Sequence, residues 1–248
     1  MSAVSLVPTV SAQAPLLGIT FLAPDTAAIR GAITTKLVDT LISHPSAKTL
    51  KRLIVTSPGG DAKAGIRLGY WVHAQKLDIE VAQLCMSTCA NYVFVAGEKK
   101  TIQPGALVVW HGSAEQENFR LRDEKYEQLM ARANDSALDP EGITFIETNK
   151  KIYQHSKDIR AEQRAFFQLI GVDEYLTRLG QEPIAFKAAW TISVGSMNRF
   201  GVNNVSAPPE YGTPNYIVQA YNRAGMRNPP LALEIDQARS VINLSKHL

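Results

Sequence analysis

Three short stretches of this 248-residue chain carry side chains suited to acyl transfer. They are "SPGGD" at 57–61, "CMSTC" at 85–89 and "VVWHG" at 108–112. A serine hydroxyl becomes a nucleophile when a base takes its proton, and the oxyanion that follows needs donors already in place. Ser87 offers the hydroxyl, and His111 offers an imidazole. Gly59 and Gly60 offer backbone amides that can approach closely because no Cβ intervenes. The Thr88 amide, at a helix start, is a further donor. Each stretch also has a plainer reading. Pro-Gly-Gly is a common β-to-α turn, a serine before a helix is a favoured N-cap, and a lone histidine after apolar residues is usually structural.

The flanking elements bring the three together. "RLIVTS" at 52–57 is an apolar run of strand length, and "AKAGIRLGYWVHAQKL" follows with helical spacing. "IEVAQLC" is the next strand, and "TCANYVFVAG" reads as a helix ending at a glycine cap. "ALVVWH" is a third strand. Upstream, "ITFLAPDTAAIRGAI" gives one or two strands broken at Pro24-Asp25, and "TTKLVDTLISHP" a helix stopped by Pro45. Runs such as "LIV" and "ALVV" lack alternation, as in strands covered on both faces of an α/β sheet. Gly60, Ser87 and His111 then lie at the carboxyl ends of three strands and face one crevice.

Residues 114–180 are charged and poor in strand pattern, with two or three amphipathic helices and a turn at "ALDPEG". His155 and Asp158 read as a surface pair, and Tyr126, Tyr153, Phe166 and Phe167 as core or interface. "PIAFKAAWTISVGSMNRFGVNNV" holds a short strand or two. After Ser206, "APPEYGTPNY" reads as a Pro-rich surface loop, and the end of the chain as a helix or a loosely held tail.

A net charge of +3 with dispersed basic residues, as in "RLRDEKYEQ", argues against a nucleic-acid partner. No apolar run is long enough to span a bilayer. The residue types call for no cofactor and no metal. Cys85 and Cys89 alone cannot build a four-ligand zinc site. If both sit on one helix, a bond between them is awkward, so free, packed thiols are the expectation. "MSAVSLVPTVSAQAPLLG" contains the small-x-small form of an export cleavage site without a basic start. It reads equally as a signal remnant or as a disordered terminus, and location stays open between exported and cytoplasmic.

Taken in order, "LIVTSPGGDAKAG", "CMSTC" and "FVAGEKKTIQPGALVVWHG" resemble the proteolytic subunit of Clp protease and its crotonase-fold relatives. Gly60 and Ser87 are 27 positions apart, and Ser87 and His111 are 24 apart. The C-x-S-x-C form is closer to bacterial, often exported, Clp-like serine peptidase homologues. The resemblance covers residues 15–112, with a fainter echo at "FGVNNV". It implies an α/β fold, a Clp/crotonase-like superhelix of β-β-α units with a helical insertion or arm. Residues 1–14 would be the terminal segment, 15–205 the domain with 114–180 as its arm, and 206–248 a C-terminal extension. By the same resemblance Ser87 is the nucleophile and His111 the general base, while the Gly60 and Thr88 amides form the oxyanion hole beside Gly59. The substrate would be a peptide or protein, and the chain would assemble with copies of itself.

Two departures stand out. The place of the family's catalytic aspartate falls around "KAAWT", which has no carboxylate. Asp158, Asp173 or a Ser-His dyad could stand in for it. Counting back from Ala96-Gly97 by the family spacing lands on Thr88, so Ser87 requires one extra residue to be absorbed in the helix. A crotonase-type acyl-thioester enzyme and a non-catalytic scaffold of the same fold are the competing functions.

Overall fold

Apolar runs without alternation build the main sheet. In this computed structural model, residues 18–135, 138–181, 189–236 and 241–244 are described. Strands β1 (Gly18–Ala23) and β2 (Thr26–Arg30) form an antiparallel hairpin that turns at Pro24-Asp25. Helix α1 (Thr35–Ser43) starts at Thr34, whose hydroxyl accepts the Leu37 N–H, and stops before Pro45. Then come β3 (Arg52–Ser57), α2 (Ala62–Gln75) and β4 (Asp78–Met86). Cys89–Phe94 is a π-helical segment, followed by β5 (Lys100–Ile102) and β6 (Leu107–Val109).

The sheet runs β1-β2-β3-β4-β5, with β6 also on β4. Every pair after the hairpin is parallel. The first half of β4 pairs with β5 and the second half with β6, so β4 is the spine. Leu53, Val55, Ile79, Val81, Leu107, Val108 and Val109 are buried. Only β6 is buried at successive positions, as expected of a strand covered on both faces, whereas β3 and the first half of β4 alternate buried with partly exposed residues.

The polar middle of the chain is a helical hairpin. Helices α3 (Glu117–Asp135) and α4 (Pro140–Ile170) pack on each other, and Asp139 caps α4. Tyr126 and Tyr153 stack between them with ring centroids 4.4 Å apart. Asp123, whose side chain is almost fully buried, takes Arg122 and Arg160. Only the end of α4 docks on the body. Ile159, Gln163, Phe166 and Phe167 are buried there, at helical spacing, against α2 and Tyr92. Leu121, Met130, Ile143 and Ile152 stay exposed toward the rest of the hairpin.

The last part of the chain departs from expectation. After β7 (Trp190–Ile192), α5 (Val194–Arg199) and β8 (Val205–Ser206), a helix α6 (Pro214–Arg223) begins inside the stretch 207–216 that was read as a surface loop. The end contributes strands β9 (Leu231–Ile235) and β10 (Val241–Asn243) rather than a helix or a loose tail. These two strands and β7 make a second, three-stranded sheet. Tyr211 and Tyr216, inside the supposed loop, are buried. The Val108 N–H donates to the Tyr211 hydroxyl at 3.3 Å, and the Tyr216 hydroxyl donates to the Ala106 carbonyl at 2.9 Å. Proline set the turns, but buried aromatic area decided the packing. Both tyrosines brace β6, the strand that leads to His111.

Candidate active site

Strands β3, β4 and β6 run parallel, and β4 takes a register shift against β3 between Val81 and Cys85. Ser57 pairs with Cys85, and Cys85 pairs with Val108. Their carboxyl ends therefore stop level, and the next residues leave the sheet at one edge.

After β3 comes the glycine turn. Gly59 (φ +100) and Gly60 (φ +154) take backbone angles that side-chain-bearing residues rarely adopt. A Cβ on Gly59 would lie 2.6 Å from the Ser87 Cβ and 2.7 Å from the Met86 carbonyl oxygen. On Gly60 it would lie 2.1 Å from the Ile33 carbonyl oxygen. Ile33 bridges to this turn through the Gly59 carbonyl and the Asp61 N–H, which leaves the Gly60 N–H outside the ladder. The Ser57 hydroxyl accepts the Gly59 N–H at 3.1 Å, and Asp61 caps α2.

After β4 comes Ser87, in the left-handed region at φ 60. A serine there costs about 1 kcal/mol relative to its relaxed conformation. Its N–H donates to the Val109 carbonyl at 2.9 Å, and its carbonyl accepts the Asn91 N–H at 2.8 Å. Its hydroxyl has no partner among the described residues. Ser87 is thus not the helix cap. Thr88 holds the N-cap position, and its hydroxyl instead donates to the Gly60 carbonyl at 2.9 Å. The helix beyond is wound as π, with hydrogen bonds reaching one residue further than in an α-helix.

The cysteines correct the sequence reading. Cys85 and Cys89 form a disulfide with their Cα atoms 5.2 Å apart, within the normal range for such a bond. Free thiols were expected on the ground that a bond is awkward if both residues lie on one helix. In fact Cys85 ends a strand and Cys89 begins a helix, and the left-handed Ser87 folds one back toward the other. Replacing both by alanine is expected to lower stability by about 2 kcal/mol, the chain entropy removed by so short a bridge. The midpoint of urea unfolding reads this directly.

After β6, Trp110 exchanges two hydrogen bonds with Trp190, each 2.8 Å, tying the two sheets together. His111 follows, exposed, with its ring unbonded to any described residue and its carbonyl accepting from the Gln181 side chain. Gly112 (φ +124) turns the chain away. Ser113 then joins a buried network that the sequence did not reveal. Its hydroxyl accepts from Thr177 at 2.9 Å and from Gln163 at 3.3 Å. Gln163 also donates to Glu174 at 2.5 Å and accepts the Tyr92 hydroxyl at 2.6 Å. Burial raises the Glu174 carboxyl above the usual carboxylate range and pushes the Tyr92 hydroxyl up as well. The network links the helix after Ser87, the segment after His111 and the end of α4.

Ser87, Thr88 and His111 line one cavity of about 450 Å³. Ala62, Tyr92, Ala114, Phe119 and Ile159 make much of its wall apolar, and Arg122 and His155 stand on the hairpin side. Ser87 and His111 share this wall without a direct hydrogen bond. A serine-base pair commonly closes to bonding distance only once substrate is present.

No protein-family model matches this sequence, and no curated protein does. The chain is similar to a solved structure of an asparagine-to-aspartate mutant of ClpP1 from Listeria monocytogenes. The identity is 13%, over 75% of this chain and 94% of that one, with a TM-score of 0.45.

The two carboxylates considered as third members sit elsewhere. Asp158 faces Lys63 at 3.9 Å and accepts from Gln154 at 2.8 Å, on the outside of α4. Asp173 accepts the Tyr175 N–H at 3.0 Å as the cap of a short 3-10 turn. Of the "KAAWT" stretch, Lys187 and Ala188 lie outside the described residues. Among the described residues, no group of three or more His, Cys, Asp and Glu side chains could hold a metal ion, and no described helix is long and apolar enough to cross a membrane.

Proposed function

We propose that this chain is a serine peptidase-like hydrolase with a Clp/crotonase-like superhelix of β-β-α units. Ser87 attacks a carbonyl carbon of the substrate while His111 takes the hydroxyl proton. The Gly60 and Thr88 amides hold the developing oxyanion, with Gly59 permitting their close approach. His111 then returns the proton to the leaving amine, and water repeats the sequence to release the acyl group. The observation that carries this reading is the Ser87 hydroxyl, which has no hydrogen bond among the described residues. It is held in a left-handed turn on the wall that also holds His111, between a glycine turn and a helix start.

A peptide or protein is the substrate class that fits. The cavity has an apolar wall large enough for a bulky side chain and polar groups at its mouth. The exposed Leu121, Met130, Ile143 and Ile152 support the helical hairpin as the contact surface of a homo-oligomer. The Cys85–Cys89 bond supports an exported, oxidising location, since such bonds rarely persist in a reducing cytosol.

Parallel assays of a peptide ester and an acyl-thioester, each on the unmodified chain and on Ser87→Ala, separate the candidate functions. Ester hydrolysis that vanishes in Ser87→Ala is the expected result. Thioester turnover that survives Ser87→Ala would replace the peptidase with crotonase-type chemistry. Turnover of neither substrate by the folded chain would point to a scaffold.

A further inference from the structure

Asn91 bonds to both catalytic turns. Its backbone N–H donates to the Ser87 carbonyl at 2.8 Å. Its side-chain Nδ2 donates to the Gly112 carbonyl at 3.0 Å, the peptide directly after His111. Asn91 is 3% exposed and lines the same cavity as Ser87 and His111. Its Oδ1 is buried and has no hydrogen-bond partner among the described residues. An amide oxygen buried without a donor is costly, and asparagine is a poor choice inside a helix. The His111 ring, on the same cavity wall, is a donor with no partner among the described residues. Asn91 and His111 thus line one cavity, each carrying a group of opposite kind unmet among the described residues, and Asn91 already holds the backbone next to the histidine.

We infer that Asn91 is the positioning residue for His111 and takes the place of the absent carboxylate. Its Oδ1 accepts one ring N–H of His111 when the ring turns into the cavity. That fixes the tautomer and leaves the other ring nitrogen free to receive the Ser87 proton. The Nδ2 bond to Gly112 sets the backbone from which the ring swings. An amide orients the imidazole without balancing the positive charge it gains, unlike a carboxylate. The catalytic consequence rests on the peptidase reading, whereas the bond itself does not. Among the described residues, the other ionisable side chains lining this cavity are Arg122 on α3, His155 on α4 and Tyr92 on the π-helical segment.

The test is an NMR titration of the histidine rings in nitrogen-15-labelled protein, with the His111 signal identified by its loss in His111→Gln. In Asn91→Asp the carboxylate would face the ring, and the His111 pKa is expected to rise by about one unit or more. The His155 signal serves as an internal control and is expected to stay within a few tenths of a unit. An unmoved His111 pKa in folded Asn91→Asp overturns the inference. Should that variant fail to fold, spectra of the unmodified chain at pH 8 decide instead. A single persistent ring tautomer of His111 supports the bond, and an averaging pair of tautomers rules it out. Neither readout needs turnover. A chain that hydrolyses nothing but shows the shift keeps the Asn91 assignment and loses the peptidase reading. A chain that hydrolyses through Ser87 with His111 unmoved keeps the peptidase and loses Asn91.

Discussion

Ser87→Ala is expected to reduce ester and peptide hydrolysis by at least about 1,000-fold, because the acyl-enzyme can no longer form. The fold should barely notice. The Ser87 hydroxyl makes no hydrogen bond among the described residues, and its backbone bonds to Val109 and Asn91 do not involve the side chain. Thermal unfolding should therefore place Ser87→Ala close to the unmodified protein. Ser87→Gly sharpens the point. Glycine relieves the left-handed backbone at φ 60, so this variant should gain about 0.5–1 kcal/mol of stability while being equally inactive. A residue that costs stability and carries activity is the signature of strain kept for function. Thr88→Val makes the opposite exchange. It removes the hydroxyl that holds the Gly60 carbonyl and should cost about 1 kcal/mol, with activity falling by roughly tenfold or less. If Thr88→Val is the dead variant and Ser87→Ala is active, the nucleophile has been placed one residue early.

The second large effect is at Gly59. Its missing side chain is what lets the glycine turn touch the Ser87 turn. A Cβ would stand 2.6 Å from the Ser87 Cβ, 2.7 Å from the Met86 carbonyl oxygen and 3.0 Å from the Thr88 nitrogen. Two of those atoms belong to backbone that cannot give way alone, because the disulfide and the Val109 bond hold it. Gly59→Val is expected to destabilise by more than about 3 kcal/mol, from overpacking and from φ +100 together. Gly195→Ala is the control. Its Cβ would meet only the Ser193 hydroxyl at 3.7 Å, and alanine is the better helix residue, so stability should hold or rise slightly. Urea denaturation of the two variants side by side measures the difference.

Much of the frame was legible in the residues. Strands at 52–57 and 78–86, the helix between them and the break at Pro24-Asp25 follow from apolar spacing and turn chemistry, which act locally. The placement of Gly60, Ser87 and His111 at one sheet edge was legible for the same reason, since the carboxyl ends of neighbouring parallel strands lie at one edge. What stayed hidden depends on distant partners or on a change of winding. Cys85 and Cys89 were expected to stay free because a bridge is awkward if both lie on one helix. Nothing local shows that Ser87 turns left-handed, or that residues 89–94 wind as π. Tyr211 and Tyr216 sit among prolines and glycines, and their burial follows from β6, about a hundred residues earlier in the chain. Gln163 and Glu174 looked like ordinary polar positions of an amphipathic arm. Their burial arises from the docking of α4 on Tyr92.

The most direct test of the central claim is covalent. A fluorophosphonate reacts with a serine only when a base and an oxyanion site act on it together. The folded protein should be labelled, and mass spectrometry of its fragments should place the adduct on Ser87. His111→Ala should lose the labelling, and so should Ser87→Ala, with both variants folded by circular dichroism. Absence of labelling in the folded, disulfide-intact protein, or an adduct on another residue that survives Ser87→Ala, would contradict the account.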